Sequence, residues 1–381
     1  MKIMFVLQEL IGGGAERVAV VLAGALAEQG HEVLLVSDKT RSDEPFVYAV
    51  DARVRMIRYF GDQVCPHRTY KYFPKRMRHY LNLRRIVRNE CPDVMVAFMN
   101  TTFLKVFVAS IGTKTGIVAS EHNAFERPPC APMTRRDYFF KFFVNKLFDA
   151  VTVLTEADKS VIANRLKHVY VMPNPLAFQP IPLHELSGNR KKQIVAAGRM
   201  DAWHYKGFDL LIRAWGKIAK HCDGWTLNIA GQGDEASLNF LKGMTKECHV
   251  EDSVVFSGFH ADLERLFRES EVFVLSSRYE GFGMVLLEAM SQGCACIACD
   301  YKGRQREIIR SDEEGLCIEP ENIDRLAEAI SRMVGDEAYR NSIRANGILR
   351  AQDYKAAAIA DRWLDMFEEI RQRKKTRRNA L

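Results

Sequence analysis

The stretch KIMFVLQELIGGGAERVAVVLAGALAEQGHEVLLVSD, residues 2–38, contains the pattern that decides the fold. It begins with an apolar run of strand length, passes through three glycines into a segment with apolar residues at helical spacing, and ends in a second apolar run. Apolar runs without polar alternation indicate strands that are covered on both faces, as in parallel sheets. The stretch therefore predicts a βαβ unit and, with it, a doubly wound α/β domain.

The same alternation of strand and helix patterns continues along the chain. Further apolar strand runs are VRMIRYF, DVMVAFMN, TGIVASEHN and AVTVLTEAD, and then QIVAAGRM, WTLNIAGQGDE, SVVFSGF, VFVLSSRYEG and ACIACD. A proline-rich stretch with few periodic apolar residues, PNPLAFQPIPLHELSGNRKK, separates the two sets. We predict two Rossmann-like domains, over residues 1–180 and 188–353. A C-terminal helix and basic tail over residues 354–381 should pack back on the first domain.

Composition excludes several classes of protein. The 381 residues are 47% hydrophobic and 27% charged, which suits a globular protein and not a disordered or fibrous one. No apolar run is long enough for a transmembrane helix. The cysteines number nine, an odd count that argues against a disulfide framework and favours a reducing cytoplasm. Cys294, Cys296 and Cys299 could ligate a metal, but their alternation with small apolar residues favours a buried strand.

Positive charge is concentrated in the first half of the chain. Residues 1–180 contain 25 Lys and Arg against 17 Asp and Glu, whereas the remainder contains 30 against 31. Aromatic residues are interleaved with the cations, and the C-terminal RQRKKTRR adds more. Three interpretations are open: an anionic membrane surface, which we favour, a solvated helix face, and, least favoured, a nucleic-acid site. The cations that we expect at a membrane or acceptor surface are Lys71, Lys75, Arg76, Arg135, Arg136 and Lys141.

Two candidate ligand sites follow predicted strands of the first half. Ligands of open α/β sheets bind beyond the carboxyl ends of the strands. Gly13 and Gly14 lie in GGGAER, where glycines let the backbone approach a phosphate at a helix N-terminus, although a simple tight turn explains them equally well. His122 lies in SEHN and could hydrogen-bond a hydroxyl or assist proton transfer.

The second half holds the more specific candidates. Arg199 follows one strand and Lys206 precedes a helix, positions from which two cations can neutralise a diphosphate. In SSRYEGFGMVLLEAM, Glu280 precedes two glycines and Glu288 lies in the helix that follows. Carboxylates accept hydrogen bonds from sugar hydroxyls, while a helix N-terminus attracts anions. Glu280 in the loop and Glu288 on the helix would therefore address different parts of one ligand.

Together these motifs resemble those of the family 4 retaining glycosyltransferases. The resemblance covers nearly the whole chain and includes GGGAER, SEHN, PNPL, GRM…KGFDLL, NIAGQGDE, VVFSGF, the pair of glutamates and ACDYKGRQREII…EEGLCIEP. It implies the α/β GT-B fold, in which two Rossmann-like domains face a cleft. The second domain would bind the nucleotide sugar, and the first would bind the acceptor.

The resemblance also implies roles for individual residues. Gly13 and Gly14 match the loop that approaches the donor diphosphate, Arg199 and Lys206 match the pair that stabilises the leaving diphosphate, and His122 matches a histidine near the sugar and acceptor. Arg199 and Lys206 are seven residues apart, where five is commoner in the family.

Other family roles concern the sugar, the ribose and the base. Glu280 matches the carboxylate beside the transferred sugar, Glu288 matches the ribose ligand, and Phe256 falls where the nucleobase is contacted. The segment that meets sugar hydroxyls and phosphate is matched by Gly281, Phe282, Gly283 and Met284.

The expected function is retaining transfer of a hexose or N-acetylhexosamine from a nucleotide sugar, most simply a UDP-sugar, with GDP-mannose open. The acceptor would be a lipid-linked saccharide or glycolipid at the cytoplasmic face of the membrane, with the protein bound peripherally. We expect no cofactor, no required metal and no nucleic-acid partner. The alternative is a GT-B-type enzyme that is not a transferase, such as a UDP-sugar 2-epimerase.

Overall fold

Two parallel β-sheets organise the protein. This computed structural model describes residues 1–10, 13–37, 48–58, 75–128, 132–188 and 190–379. The chain divides into two compact units, one made of Met1–Ala177 with Ala356–Leu381 and the other of Phe178–Lys355. The first unit is thus built from both ends of the chain.

The first unit contains a sheet of seven parallel strands in its described part. The order across the sheet is β3-β2-β1-β4-β5-β6-β7. The strands are β1 Lys2–Leu7, β2 Glu32–Ser37, β3 Arg55–Arg58, β4 Val94–Phe98, β5 Gly116–Ser120, β6 Ala150–Val153 and β7 Val169–Val171. The helices of this unit are α1 Gly14–Glu28, α2 Lys75–Glu90, α3 Asn100–Ser110, α4 Arg135–Phe142, α5 Glu156–Ile162 and, from the chain's other end, α13 Ala356–Asn379.

The second unit repeats this plan with six parallel strands. Their order is β10-β9-β8-β11-β12-β13. The strands are β8 Lys191–Ala197, β9 Thr226–Ala230, β10 Val254–Gly258, β11 Ser270–Leu275, β12 Ala295–Cys299 and β13 Leu316–Ile318. The helices are α6 Trp203–Lys206, α7 Phe208–Ile218, α8 Glu235–Glu247, α9 Leu263–Glu269, α10 Met284–Ser291, α11 Ile323–Gly335 and α12 Glu337–Ala351.

Helix α1 shows how the opening stretch produces its βαβ unit. Val18, Leu22 and Leu26 recur at helical spacing and are buried, so this face of the helix packs on the sheet. The helix ends before Gly30, whose φ of 83° is a left-handed conformation that glycine adopts at little cost. The chain then enters β2, which pairs in parallel with β1.

Helix α13 completes the core of the first unit. Its buried residues recur every three or four positions and are Ile359, Ala360, Trp363, Met366, Phe367 and Ile370. The Trp363 ring meets the Phe5 ring edge-on at 6.5 Å. A Cβ on Gly116 would lie 2.7 Å from Ile370 Cγ2, so the absence of a side chain at the start of β5 lets the helix approach. The last helix therefore belongs to the fold of the first unit.

The structure confirms the predicted α/β class, the two Rossmann-like sheets and the C-terminal helix that packs on the first domain. The short strand β13, within EEGLCIEP, was not among the predicted strands. Among the described helices, none combines the length and apolar composition needed to cross a bilayer.

Candidate functional site

The carboxyl edge of the second sheet carries the strongest candidate residues. The chain runs from β8 to β9 on one side and from β11 to β12 on the other, so the connections that follow these two neighbouring strands leave in opposite directions. In doubly wound sheets this point opens a crevice at the carboxyl ends of the strands. Three loops border this crevice. They begin at Gly198 after β8, at Gly231 after β9 and at Ser276 after β11.

Glycines lock the first two of these loops together. The Gly198 amide donates to the Ala230 carbonyl at 2.9 Å, and the Met200 amide donates to the Gln232 carbonyl at 2.8 Å. A Cβ on Gly231 would lie 1.8 Å from the Gly198 carbonyl oxygen, and one on Gly233 would lie 2.6 Å from Met200 Cβ. Such separations leave no room for any side chain, so the loops form a close-packed base for the residues that follow.

Arg199 extends from this base into solvent. Its side chain is 77% exposed and pairs with Asp201 at 2.5 Å. The hydrogen bond from Arg199 lowers the pKa of the Asp201 carboxyl. The guanidinium keeps its charge and most of its accessible surface, so it is available to an anionic ligand.

Lys206 lies against Glu280. Its Nζ is 2.6 Å from Glu280 Oε1, which also accepts a hydrogen bond from Ser277 Oγ at 3.0 Å. Arg199 and Lys206 are seven residues apart, and the longer connection between them contains one turn of helix, α6 Trp203–Lys206. The structure thus brings Lys206 together with Glu280, whereas Arg199 pairs with Asp201.

Hydrogen bonds to two backbone carbonyls of α6 hold this helix against the loop after β11. Ser276 Oγ donates to the Lys206 carbonyl at 2.8 Å, and the Arg278 amide donates to the Tyr205 carbonyl at 2.9 Å. Gly207 ends α6 with a φ of 64°. A Cβ there would lie 1.9 Å from the Ser276 carbonyl oxygen. This close approach fixes the position of Lys206.

Arg278 is a supporting residue that the sequence analysis missed. Its NH1 and NH2 donate to the two carboxylate oxygens of Asp209 at 2.6 and 2.7 Å, and its Nε donates to Glu321 at 2.8 Å. A bidentate pair of this kind is strong and directional. No local motif signals it, because the three residues are distant in sequence.

The N-terminus of α10 follows Glu280 closely in the chain. Gly283 is its N-cap, with a φ of 96°, and no side chain caps the helix. The amides of Leu286 and Leu287 donate to the Gly283 carbonyl at 3.0 and 3.4 Å. The amides of Met284 and Val285 are therefore the ones that could meet an anion. Phe282 is buried, its ring lies 5.9 Å from that of Tyr354, and its carbonyl accepts a hydrogen bond from Gln305 Nε2 at 3.3 Å. Gly281 and Met284 flank this segment and are partly buried.

The predicted ribose and base ligands are less accessible. Glu288, in the second turn of α10, is only 3% exposed. Phe256 lies in β10 and packs against the hydrophobic core of the second unit. Phe259, just beyond the same strand, is 73% exposed. The roles of Glu288 and Phe256 stay predictions.

In the first unit, Gly13 and Gly14 stand at the start of α1. Gly13 is the N-cap, and its amide donates to Glu16 Oε2 at 2.8 Å. A Cβ on Gly14 would meet nothing within 4 Å. A carboxylate of the protein itself thus already occupies one amide of this turn.

His122 lies directly beyond β5. Its Nε2 is 3.0 Å from Ser120 Oγ, and its ring stacks on Phe98 at 5.1 Å. Burial lowers the pKa of His122 to about 4, and a contact with the Asn174 side chain partly offsets this shift. The imidazole is therefore neutral near pH 7 and suits hydrogen bonding better than charge stabilisation.

The assignment of Lys141 to a membrane or acceptor surface is wrong. Its side chain is 1% exposed, its Nζ lies 3.4 Å from Glu121 Oε2, and it donates to the Asn123 carbonyl at 3.0 Å. Helical periodicity places Lys141 beside Phe142 on the inner face of α4, where the buried charge needs a partner.

The other expected surface cations divide into two groups. Arg135 and Arg136 are exposed at the start of α4. Lys71 lies outside the described residues, and so do the side chains of Lys75 and Arg76, although the backbone of the latter two forms the start of α2.

The three clustered cysteines lie in and beside β12. All are buried with free thiols. Burial raises the pKa of Cys294 and Cys299 to about 12, so both thiols stay protonated near neutral pH. Their environment is that of small apolar side chains.

Comparison with known proteins identifies the family of the chain. Residues 12–177 match the model of Glycosyltransferase Family 4, and residues 183–350 match that of Glycosyl transferases group 1. An N-acetyl-D-galactosaminyltransferase of Campylobacter jejuni, named for a saccharide acceptor on PP-undecaprenol, is 26% identical over 97% of this chain and 99% of its own. The amylovoran biosynthesis glycosyltransferase AmsD of Erwinia amylovora is 28% identical over 93% of this chain and 95% of its own.

Solved structures agree on the fold. The Anabaena protein HepE, in complex with UDP, has a TM-score of 0.77 and is 17% identical over 97% of this chain and 100% of its own. This likeness extends to both sheets and supports the GT-B architecture. The chain therefore belongs to the family 4 glycosyltransferases, with the GT-B fold.

Proposed function

We propose that the protein transfers a hexose or N-acetylhexosamine from a UDP-sugar to a lipid-linked saccharide or glycolipid at the cytoplasmic face of a membrane. The anomeric configuration would be retained, and no divalent metal would be needed. The carrying observation is the Lys206–Glu280 pair, 2.6 Å apart, beside the uncapped N-terminus of α10. The PP-undecaprenol-linked acceptor of the Campylobacter relative and the UDP bound to HepE support the choice of substrates.

The leaving group of such a transfer is a nucleoside diphosphate. Cleavage of the anomeric C–O bond moves negative charge onto the diphosphate, and preorganised positive groups stabilise that change. Lys206, Arg199 and the first amides of α10 supply this positive potential from protein groups alone. The proposed independence from metal rests on them.

The sugar would lie next to Glu280. Its carboxylate is held by Lys206 and by Ser277, so its orientation is set before the substrate binds. It can accept hydrogen bonds from sugar hydroxyls, and its negative charge can stabilise the positive charge that develops at the anomeric carbon. In a retaining transfer by same-face attack, the acceptor oxygen bonds to the anomeric carbon as the bond from that carbon to the diphosphate breaks. A phosphate oxygen of the leaving diphosphate takes the proton of the acceptor hydroxyl.

His122 would assist on the acceptor side. The low pKa of His122 leaves a neutral ring that can accept or donate one hydrogen bond from an acceptor or sugar hydroxyl. This arrangement orients a hydroxyl without adding a charge to the first unit.

The test incubates the purified protein with UDP-hexoses, UDP-N-acetylhexosamines and GDP-mannose, each with a detergent-solubilised polyprenyl-diphosphate saccharide. We expect transfer from one UDP-sugar, with an α-linked product by NMR, and equal rates with and without EDTA. Arg199→Ala should lower kcat by about 100-fold, as for loss of one transition-state donor. Loss of activity in EDTA would contradict metal independence. Conversion of the donor without acceptor would favour a 2-epimerase, an alternative that the relatives do not favour.

A further inference from the structure

A pocket of the first unit lies at the opposite edge of its sheet from His122. Its volume is about 450 Å³. Asp149 and His168 line it and directly precede β6 and β7, so the pocket opens at the amino ends of these strands. His122, in contrast, follows the carboxyl end of β5. Within the first unit, the pocket is therefore separate from His122.

The lining of this pocket is strongly basic. Five cations and one carboxylate line it, and the cations are Lys146, Arg165, Lys167, Arg373 and Lys374. The carboxylate, Asp149, accepts from Lys374 Nζ at 2.8 Å and from the Ile117 amide at 2.9 Å. Its charge is thus already matched within the protein, and the other cations retain a positive excess that suits a phosphate group.

An exposed apolar surface adjoins the pocket. We name it the aromatic rim, and its members are Tyr138, Phe139, Phe143 and Leu147, which are 45%, 53%, 54% and 46% exposed. The rings of Phe139 and Phe143 stack at 5.8 Å. Exposed aromatic clusters on a helix commonly mark a binding surface, because their exposure to water is unfavourable.

Cations connect the aromatic rim with the pocket. Lys146 lines the pocket and its Nζ lies 5.7 Å from the centre of the Phe143 ring. Arg165, also in the lining, donates to the Tyr138 hydroxyl at 3.2 Å. Leu147 belongs to both surfaces. Apolar side chains that enter the headgroup boundary, with cations beside them, are the pattern of an interfacial membrane site.

We propose that the aromatic rim and the basic pocket together bind an anionic phospholipid membrane, with the phosphate of one lipid headgroup in the pocket. The inference rests on the proposed function and deepens it, because it names the surface by which an enzyme of lipid-linked acceptors meets the bilayer. A nucleic acid would also match the cations, but stacked Phe139 and Phe143 already engage each other's faces. The apolar Leu147 at the junction likewise favours lipid.

The experiment measures co-sedimentation with vesicles of phosphatidylcholine, with and without phosphatidylglycerol. We expect binding only with phosphatidylglycerol, and release at high salt. Lys146→Gln with Lys167→Gln should weaken binding about 25-fold, since each cation near an anionic surface contributes about fivefold. Phe139→Ser with Phe143→Ser should weaken it at least about tenfold. The matched control is Lys220→Gln with Lys242→Gln, two exposed cations of the second unit, which should leave binding unchanged.

Three results would overturn the inference. The first is that neither the lysine pair nor the phenylalanine pair of substitutions weakens vesicle binding. The second is that the control pair loses as much binding as the test pairs. The third is that inorganic phosphate raises the melting temperature of a protein that does not bind vesicles. Sugar transfer in detergent separates this inference from the proposed function. Variants that lose vesicle binding but keep transfer in detergent support both proposals. A wild-type protein that binds vesicles but transfers no sugar contradicts the proposed function alone.

Discussion

Replacing Gly207 with alanine should displace Lys206 from its place beside Glu280. The added Cβ would lie 1.9 Å from the Ser276 carbonyl oxygen, so the backbone has to move. The left-handed φ of 64° costs an alanine about 1 kcal/mol. The movement also breaks the hydrogen bonds Ser276–Lys206 and Arg278–Tyr205, each with a net contribution of about 1 kcal/mol. The free energy of unfolding should therefore fall by about 3 kcal/mol.

Differential scanning calorimetry and steady-state kinetics together test this reasoning. A loss of about 3 kcal/mol corresponds to a decrease in melting temperature of about 6–12 °C for a unit of this size. A shift of Lys206 by about 1 Å should lower kcat about 100-fold. The matched control is Gly243→Ala in α8, where a Cβ meets nothing within 4 Å, so that stability should rise by about 0.5–1 kcal/mol. A Gly207→Ala protein with wild-type melting temperature and kcat would refute the argument.

Three further predictions concern single side chains. Glu280→Gln should lower kcat about 100-fold yet change UDP affinity, measured by calorimetry, less than about threefold, because the proposed function places the carboxylate beside the sugar and not the UDP. Equal losses of kcat and UDP affinity would instead indicate a supporting role. Burial lowers the pKa of His122 from 6.5 to about 4, so the unfolded state binds the proton more readily between these values. Stability should therefore fall by about 3 kcal/mol as the pH drops through this range, and urea unfolding of His122→Phe should show a weaker pH dependence. In the same urea assay, Lys141→Met should lower the free energy of unfolding by about 3–5 kcal/mol, because it leaves the buried Glu121 carboxylate unpaired. Adding Glu121→Gln should restore part of this free energy, and no restoration would contradict the pairing.

The periodic parts of the fold were predictable from the sequence because their signals are local. The apolar runs of β1 and β2 and the helical spacing in α1 are complete within residues 2–38. The strand β13 has only three residues, Leu316–Ile318, too few for a periodic signal. It forms because β12 offers a paired edge, which is a tertiary cause.

The sequence named the candidate residues of the site but could not predict which of their side chains form pairs. Strand ends and glycines singled out Arg199, Lys206 and Glu280 as candidates, whereas the ion pair of Lys206 with Glu280 depends on how α6 meets the loop after β11. The error at Lys141 has the same origin. A cation among aromatics indicates a surface residue until the buried carboxylate of Glu121 is seen beside it.

The route of the chain through the two units also constrains the order in which they can fold during synthesis. The second unit, Phe178–Lys355, is complete in sequence before the ribosome has made α13. The first unit begins earlier yet lacks Trp363, the partner of Phe5, until the whole second unit has been synthesised. For this enzyme the usual order, in which the N-terminal domain folds first, should be reversed, and the nascent first unit would present an uncovered apolar groove to chaperones until its last helix arrives.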